Sequence, residues 1–187
     1  MPKIISGILK GRNVNGYNIL GTRPTMDRVK ESIFSMIQNN LHDSIVLDLF
    51  SGSGNLGIEA ISNGAKFVYF NDYNRKCINL IRENLTNFNV LEKSVLLNYD
   101  YLECLNYLSK RKIKFNLVFL DPPYKDLIIN RIIDILIKKE LLYDKALIIC
   151  EMDKKEYYNN DCIELYRERK YGNKEVFIYK YSEKNVK

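Results

Sequence analysis

The segment Val46-Leu47-Asp48-Leu49-Phe50-Ser51-Gly52-Ser53-Gly54-Asn55-Leu56-Gly57 constrains the fold of this chain more than any other stretch. A short apolar, β-branched run over residues 44–50 ends in a glycine-rich turn, and residues 56–63 then read as a helix that stops at Asn63-Gly64. Gly52, Gly54 and Gly57 form a G-x-G-x-x-G between that strand and that helix, and an acid, Asp72, closes the next apolar run. A strand, a glycine turn and a helix in this order belong to a parallel sheet that offers a ligand site at the helix N-terminus.

The rest of the chain continues the alternation. Residues 25–38 carry Met26, Val29, Ile33 and Met36/Ile37 at helical spacing, with Asp27 in the first turn. Strands are expected over 66–70, 94–97, 115–120 and 146–150, with helices over 74–88, 101–110 and 126–140 between them. The run 115–120 (F-N-L-V-F-L) is almost wholly apolar, as a strand covered on both faces must be. At the C-terminus 163–167 and 175–181 read as two strands joined through Lys170-Tyr171-Gly172-Asn173, a hairpin signal. The fold class is therefore α/β, a doubly wound, mostly parallel seven-stranded sheet ending in an antiparallel hairpin. Residues 1–24, with Gly7, Gly11, Gly16 and Gly21, precede it as a basic arm or hairpin, and 25–187 form the main domain.

Charge is distributed unevenly. The 187 residues carry 29 Lys+Arg and 23 Asp+Glu, a net +6. Residues 1–23 hold Lys3, Lys10, Arg12 and Arg23 with no acid, and residues 166–187 are also net basic, so the middle is slightly acidic. Basic ends on a near-neutral body suit a polyanion, because Lys and Arg supply most sequence-independent nucleic-acid affinity. The single histidine, His42, argues against His-rich metal sites, and the four cysteines form no C-x-x-C, so no zinc ribbon or redox pair is written here. No signal peptide or membrane span is read in the sequence, and a soluble, cytoplasmic protein is expected.

The glycine segment first suggests a dinucleotide, and Asp48 argues against one. At the strand end beside the turn, its carboxylate would repel a pyrophosphate and welcome a cationic head group. S-adenosylmethionine has an ammonium and a sulfonium, and Asp72 can accept from its ribose hydroxyls. The second chemical segment is Asp121-Pro122-Pro123-Tyr124, leaving the end of the 115–120 strand. Consecutive prolines fix the backbone. The Asp121 carboxylate and the Pro122 carbonyl can then accept from one amino group, while Tyr124 offers a ring for a planar base.

Together these segments resemble the class I S-adenosylmethionine-dependent amino-methyltransferases, whose [DNS]-P-P-[YFW] motif handles an exocyclic amine. Upstream, Ile5-Ser6-Gly7, Lys10-Gly11-Arg12 and Thr22-Arg23-Pro24-Thr25-Met26-Asp27-Arg28-Val29-Lys30-Glu31-Ser32-Ile33-Phe34 are similar to the signature of the RsmD family, bacterial 16S rRNA guanine-N2 methyltransferases. The similarity runs from about residue 3 to residues 170–172, nearly the whole chain. It implies a Rossmann-like fold, S-adenosylmethionine as methyl donor and S-adenosylhomocysteine as product, without a metal. The cofactor residues it implies are Asp48, Phe50, Ser51, Gly52, Gly54, Gly57, Asp72 and Asp100. Asp72 stands where many members have a ribose-binding Glu, and Asn98-Tyr99-Asp100 falls at the adenine-contacting position. Asp100 also reads as the N-cap of the following helix.

For catalysis the resemblance implies Asp121, Pro122 and Tyr124 around a guanine N2 amine. Hydrogen bonds from that amine to Asp121 and Pro122 would aim its lone pair at the methyl, and Tyr124 would stack on the extruded base. Lys10, Arg12, Arg23 and Arg28 near the N-terminus, and Arg167, Arg169 and Lys170 near the C-terminus, are candidate phosphate contacts. The implied substrate is 16S rRNA within the small ribosomal subunit or an assembly intermediate, the protein acting as a monomer. Three rival readings stay open at this point: an adenine amine methyltransferase on DNA or another RNA, a dinucleotide-dependent oxidoreductase, and a non-catalytic RNA-binding module.

Overall fold

The structure, a computed structural model, describes residues 2–16, 27–122, 128–152, 158–172 and 174–183. Within them the strands are β1 (Ile45–Asp48), β2 (Phe67–Asn71), β3 (Ser94–Leu97), β4 (Phe115–Leu120), β5 (Leu142–Met152), β6 (Ile163–Tyr171) and β7 (Lys174–Tyr181). The helices are α1 (Asp27–Ile37), α2 (Asn55–Ser62), α3 (Arg75–Asn87), α4 (Tyr101–Lys110) and α5 (Ile129–Lys138). The sheet order is β3-β2-β1-β4-β5-β7-β6, parallel from β1 to β5, with β7 antiparallel to both its neighbours. The mostly parallel seven-stranded sheet with an antiparallel C-terminal hairpin is thus as expected.

Chain order reverses between β1 and β4. The chain winds outward from β1 to β3 and then returns to start β4 on the other side of β1. A crevice outside the carboxyl ends of these two strands is where a doubly wound sheet accepts a ligand.

Each face of the sheet has its own core. On one side Val46, Val68, Phe70, Leu117, Phe119, Leu147 and Ile149 pack under Ile33 and Phe34 of α1, Ile58 and Ile61 of α2, and Ile78 and Ile81 of α3. On the other, Leu47, Val118, Leu120, Ile148 and Cys150 meet Leu105 and Leu108 of α4 and Ile129, Ile132, Ile133 and Leu136 of α5. The α5 residues recur at three-to-four-residue spacing, so the helix turns one continuous apolar stripe inward. All four cysteines are buried and unbridged. No described helix is long and apolar enough to cross a membrane.

Residues 2–16 form a short hairpin. Lys3 pairs with Asn13, the Ile4 amide donates to the Arg12 carbonyl at 2.9 Å, and the Val14 amide to the Pro2 carbonyl at 2.9 Å. Ile4, Leu9 and Val14 are buried in the same core as α1 and α2. A polar network locks the contact: Glu59 of α2 accepts from the Ile5 and Ser6 amides, and Lys30 of α1 lies 3.0 Å from Glu59 with both side chains fully buried. Lys30 also donates to the Lys3 carbonyl and to Asn55 Oδ1. A buried charge pair with its remaining donors satisfied in this way resists removal of either partner.

Two strands run past their expected ends. β5 begins at Leu142 rather than Ala146: Leu142 pairs with Phe115, and the exposed Tyr143, Asp144 and Lys145 fall where the ladder shifts register before Leu147 meets Leu117, which interrupts the apolar pattern. β6 extends to Tyr171, carried through charged residues by its ladder with β7.

Candidate active site at the carboxyl edge of the sheet

Asp48, the last residue of β1, is 3% exposed, and its Oδ2 accepts from the Gly57 amide at 3.0 Å. Gly57 is the third residue of α2, so the carboxylate takes one of the amides that a helix start leaves without a partner. Burial pushes the Asp48 carboxyl up to about 7, the neighbouring carboxylates of Asp121 and Asp72 push the same way, and the Gly57 amide pulls back. A cation arriving here would relieve both the burial and the repulsion.

The glycines have separate reasons. Gly54 sits at φ 79° at the start of α2, a left-handed conformation that suits glycine. Gly57 lies against Phe70 so closely that a Cβ would stand 2.2 Å from the ring. The turn before them is laced to β2. Ser51 Oγ donates to the Asp48 carbonyl at 2.7 Å and accepts from the Asn71 amide at 3.0 Å, while the Ser51 amide donates to the Asn71 carbonyl.

Asp72 uses both oxygens on backbone: Oδ2 accepts from Gly52 at 2.9 Å and Oδ1 from Asn74 at 2.8 Å. It ties the glycine turn to the end of β2. The Cys77 thiol, pushed up to about 12 by burial and by Asp72, is not a nucleophile here. Phe50 is half-buried beside Tyr101, their ring centroids 6.1 Å apart. Asp100 caps α4 by accepting from Leu102 at 2.9 Å.

Sequence reasoning misses Asn71. Its side chain is buried, donates to the Leu49 and Tyr99 carbonyls, and accepts from the Tyr99 amide at 3.3 Å. It therefore spans the loops after β1 and β3. The one signal for it is a polar residue ending the apolar run of β2.

Asp121 follows β4 directly and Pro122 is buried. Leu120 pairs with Cys150, which sets Asp121 level with Glu151 on β5. Burial pushes the Asp121 carboxyl up to about 6, and the Lys174 ammonium pulls it back. Lys174 in turn forms an ion pair with Glu151. Tyr124 and Arg23, both read as functional from the sequence, lie outside the described residues.

The structure brings Asp72 and Asp121 within electrostatic reach of Asp48 at the switch point. The basic residues are spread out. Lys10 and Arg12 are exposed on the hairpin, where the Arg12 guanidinium lies 4.5 Å over the Phe88 ring and donates to the Asn87 carbonyl at the end of α3. Arg28 is exposed on α1. Arg167, Arg169 and Lys170 are exposed on β6, the opposite edge of the sheet from β3, with Lys170 3.4 Å from Glu175.

Comparison with known proteins gives one family and several relatives. A family model described as "Conserved hypothetical protein 95" matches residues 2–180. A Bacillus subtilis protein named "Putative rRNA methyltransferase YlbH" is 36% identical over 95% of this chain and 98% of its own length. The "Ribosomal RNA small subunit methyltransferase D" of Haemophilus influenzae is 36% identical over 81% of this chain and 79% of its own. Among solved structures, the "Putative methyltransferase yhhF" of Escherichia coli superposes with a TM-score of 0.84 at 26% identity, covering 96% of this chain and 97% of that one.

Proposed function

Because this chain belongs to the RsmD family of rRNA methyltransferases, the family matched over residues 2–180, we propose that it methylates the N2 amine of one guanine in 16S rRNA, the position-966 type of reaction. The donor is S-adenosylmethionine. The observation that carries the reading is the placement of Asp48 and Asp121 at the ends of adjacent strands β1 and β4, with each carboxyl raised by burial.

The residues fit such a donor. Asp48 is a buried carboxylate with a raised affinity for protons, so a bound ammonium or sulfonium would hold it ionised in place of a proton. Gly52 and Gly54 keep the turn beside it free of side chains, and Asp72, fixed by two backbone amides, retains lone pairs for ribose hydroxyls. Asp100 at the start of α4 has the adenine amine as its natural donor. When bound, S-adenosylmethionine supplies an electrophilic methyl group; everything else is the work of this chain.

Asp121 and the Pro122 carbonyl accept hydrogen bonds from the two N–H groups of the guanine amine. That localises a lone pair otherwise shared with the ring and points it along the line of transfer. The amine becomes acidic once methylated, and Asp121 is the group placed to take the proton. Tyr124 stacks on the base swung out of the RNA. Lys10, Arg12, Arg23, Arg28, Arg169 and Lys170 hold phosphates around the site. The protein works as a monomer on the small subunit or its assembly intermediate, which sets it in the cytoplasm.

The test is to incubate the purified protein with small ribosomal subunits lacking the modification and with radiolabelled S-adenosylmethionine, then map the methyl by mass spectrometry. One N2-methylguanine in 16S rRNA is expected. Methyl on an adenine, or binding of NAD(H) in place of S-adenosylhomocysteine, overturns the reading.

A further inference from the structure

The four inner parallel strands β1, β2, β4 and β5 each carry an acid within one residue of their carboxyl end: Asp48, Asp72, Asp121 and Glu151. The first three have roles in the proposed reaction, and Glu151 has none. It is buried, with Oε1 paired to Lys174 and Oε2 lacking any hydrogen-bond partner among the described residues.

Strand parity sets these groups on one face. Leu117 and Phe119 of β4, Leu147 and Ile149 of β5, and Val176 and Ile178 of β7 all enter the core beneath α1. Two residues further along β4 and β5 come Asp121 and Glu151, and Lys174 lies two residues before Val176 on the antiparallel β7, on the same face. Val176 is the residue opposite Glu151, so Lys174 stands one same-face step beyond it toward the carboxyl edge, diagonal to Glu151, and pairs with that carboxylate.

We infer that Lys174, anchored by Glu151, is a positioning residue that keeps the half-buried Asp121 ionised and thereby ready to accept from the target amine. The inference rests on the proposed function for the role of Asp121. A lysine's four-carbon stem is flexible, and its ammonium is strongly hydrated, so left alone it would turn to water. A buried carboxylate with no second donor holds it instead, since leaving Glu151 would strand an unpaired charge. Among the described residues, the other charged groups near Asp121 oppose its ionisation or stay clear of it. Asp48 on β1 and Glu151 on β5 are both acids, whose ionised forms repel a charge on Asp121. On α1, Asp27, Arg28 and Glu31 are exposed, while Lys30 is bound to Glu59. Among the described residues, Lys174 is thus the cation that acts on Asp121.

The experiment titrates the Asp121 carboxyl by 13C NMR in protein labelled at aspartate, with Asp121→Asn identifying the resonance. The pH dependence of kcat is measured in parallel at saturating S-adenosylmethionine. In the wild-type protein the carboxyl titrates near pH 6, and kcat falls as the pH drops below it. Lys174→Met is expected to move both upward by about one pH unit or more, and Lys174→Arg, which keeps the charge, to leave both near their wild-type positions. An unchanged Asp121 titration in Lys174→Met, or an equal shift in Lys174→Arg, overturns the inference. Absence of methyl transfer by the wild-type protein instead overturns the proposed function, and the NMR comparison still reads the electrostatic pairing.

Discussion

At the β1–β2 half of the carboxyl edge, Asp48, Ser51, Asn71 and Asp72 direct their polar atoms at backbone groups of the adjoining loops. At the β4–β5–β7 half, Asp121, Glu151 and Lys174 act on one another through charge. The first half is set by hydrogen-bond geometry before any ligand arrives. The second is set by electrostatics in a partly buried place, so its working state depends on pH. A donor that must be held in one pose suits the first arrangement, and an acceptor whose proton affinity matters suits the second.

Substitutions can break this division, the largest effect first. Asp121→Ala should lower kcat about a hundredfold or more and leave S-adenosylhomocysteine affinity nearly intact by calorimetry. Parallel loss of both would show that the halves are not separable. Gly57→Ala forces a Cβ into the Phe70 ring, and overpacking of this kind costs about 1–3 kcal/mol. Thermal denaturation should show a lower Tm together with weaker cofactor binding, and an unaltered Tm would refute the packing argument.

Asp48→Asn should sharpen the comparison by moving stability and binding in opposite directions. The folded-state value of about 7 lies above the ordinary 3.8. The native state therefore holds the proton more tightly than the unfolded chain. Stability from this group is full below pH about 4, declines with rising pH and is gone above about 7. The asparagine variant removes that decline, so at pH 8 the ligand-free variant should melt roughly 3–8 °C above the wild type. Its S-adenosylhomocysteine affinity should fall about tenfold, and an affinity equal to the wild type's would remove Asp48 from the cofactor site. The smallest effect is expected on the surface. Lys10→Glu combined with Arg169→Glu should reduce the salt dependence of RNA binding by about 0.7 in slope for each phosphate no longer neutralised. An unchanged slope would take these residues out of the RNA interface.

Much of this was legible in the sequence where hydrophobic period and local chemistry agree. α4 and β3 have the boundaries expected from it, since Asp100 caps a clean helical pattern and residues 94–97 form a compact apolar run. β6 outruns its sequence pattern because Glu164, Arg167, Glu168, Arg169 and Lys170 give no apolar alternation, and only pairing with β7 extends the strand. The burial of Ile4 and Val14 depends on α1 and α2 arriving above the hairpin, which no local pattern announces. In the site, Asp48 and Asp121 stand out because each ends or follows an apolar run beside a glycine or proline turn, and Asp72 because it closes the next apolar run after the glycine turn. Glu151 also ends such a run, but no turn motif follows it. Its partner Lys174 comes from an antiparallel strand whose register only the folded sheet defines. Asn71 stays hidden because its role lies in bridging two loops that are distant along the chain.

The exposed β6 edge bears on how the protein behaves when concentrated. An outer strand of nine residues is a template on which a second chain could add its own backbone. Here charged side chains stand on both faces, and the register slips between Leu165 and Arg167. A strand laid against it would have to strip water from those charges and follow a kinked ladder. The residues that make β6 hard to read as a strand are also those that oppose its growth into an aggregate.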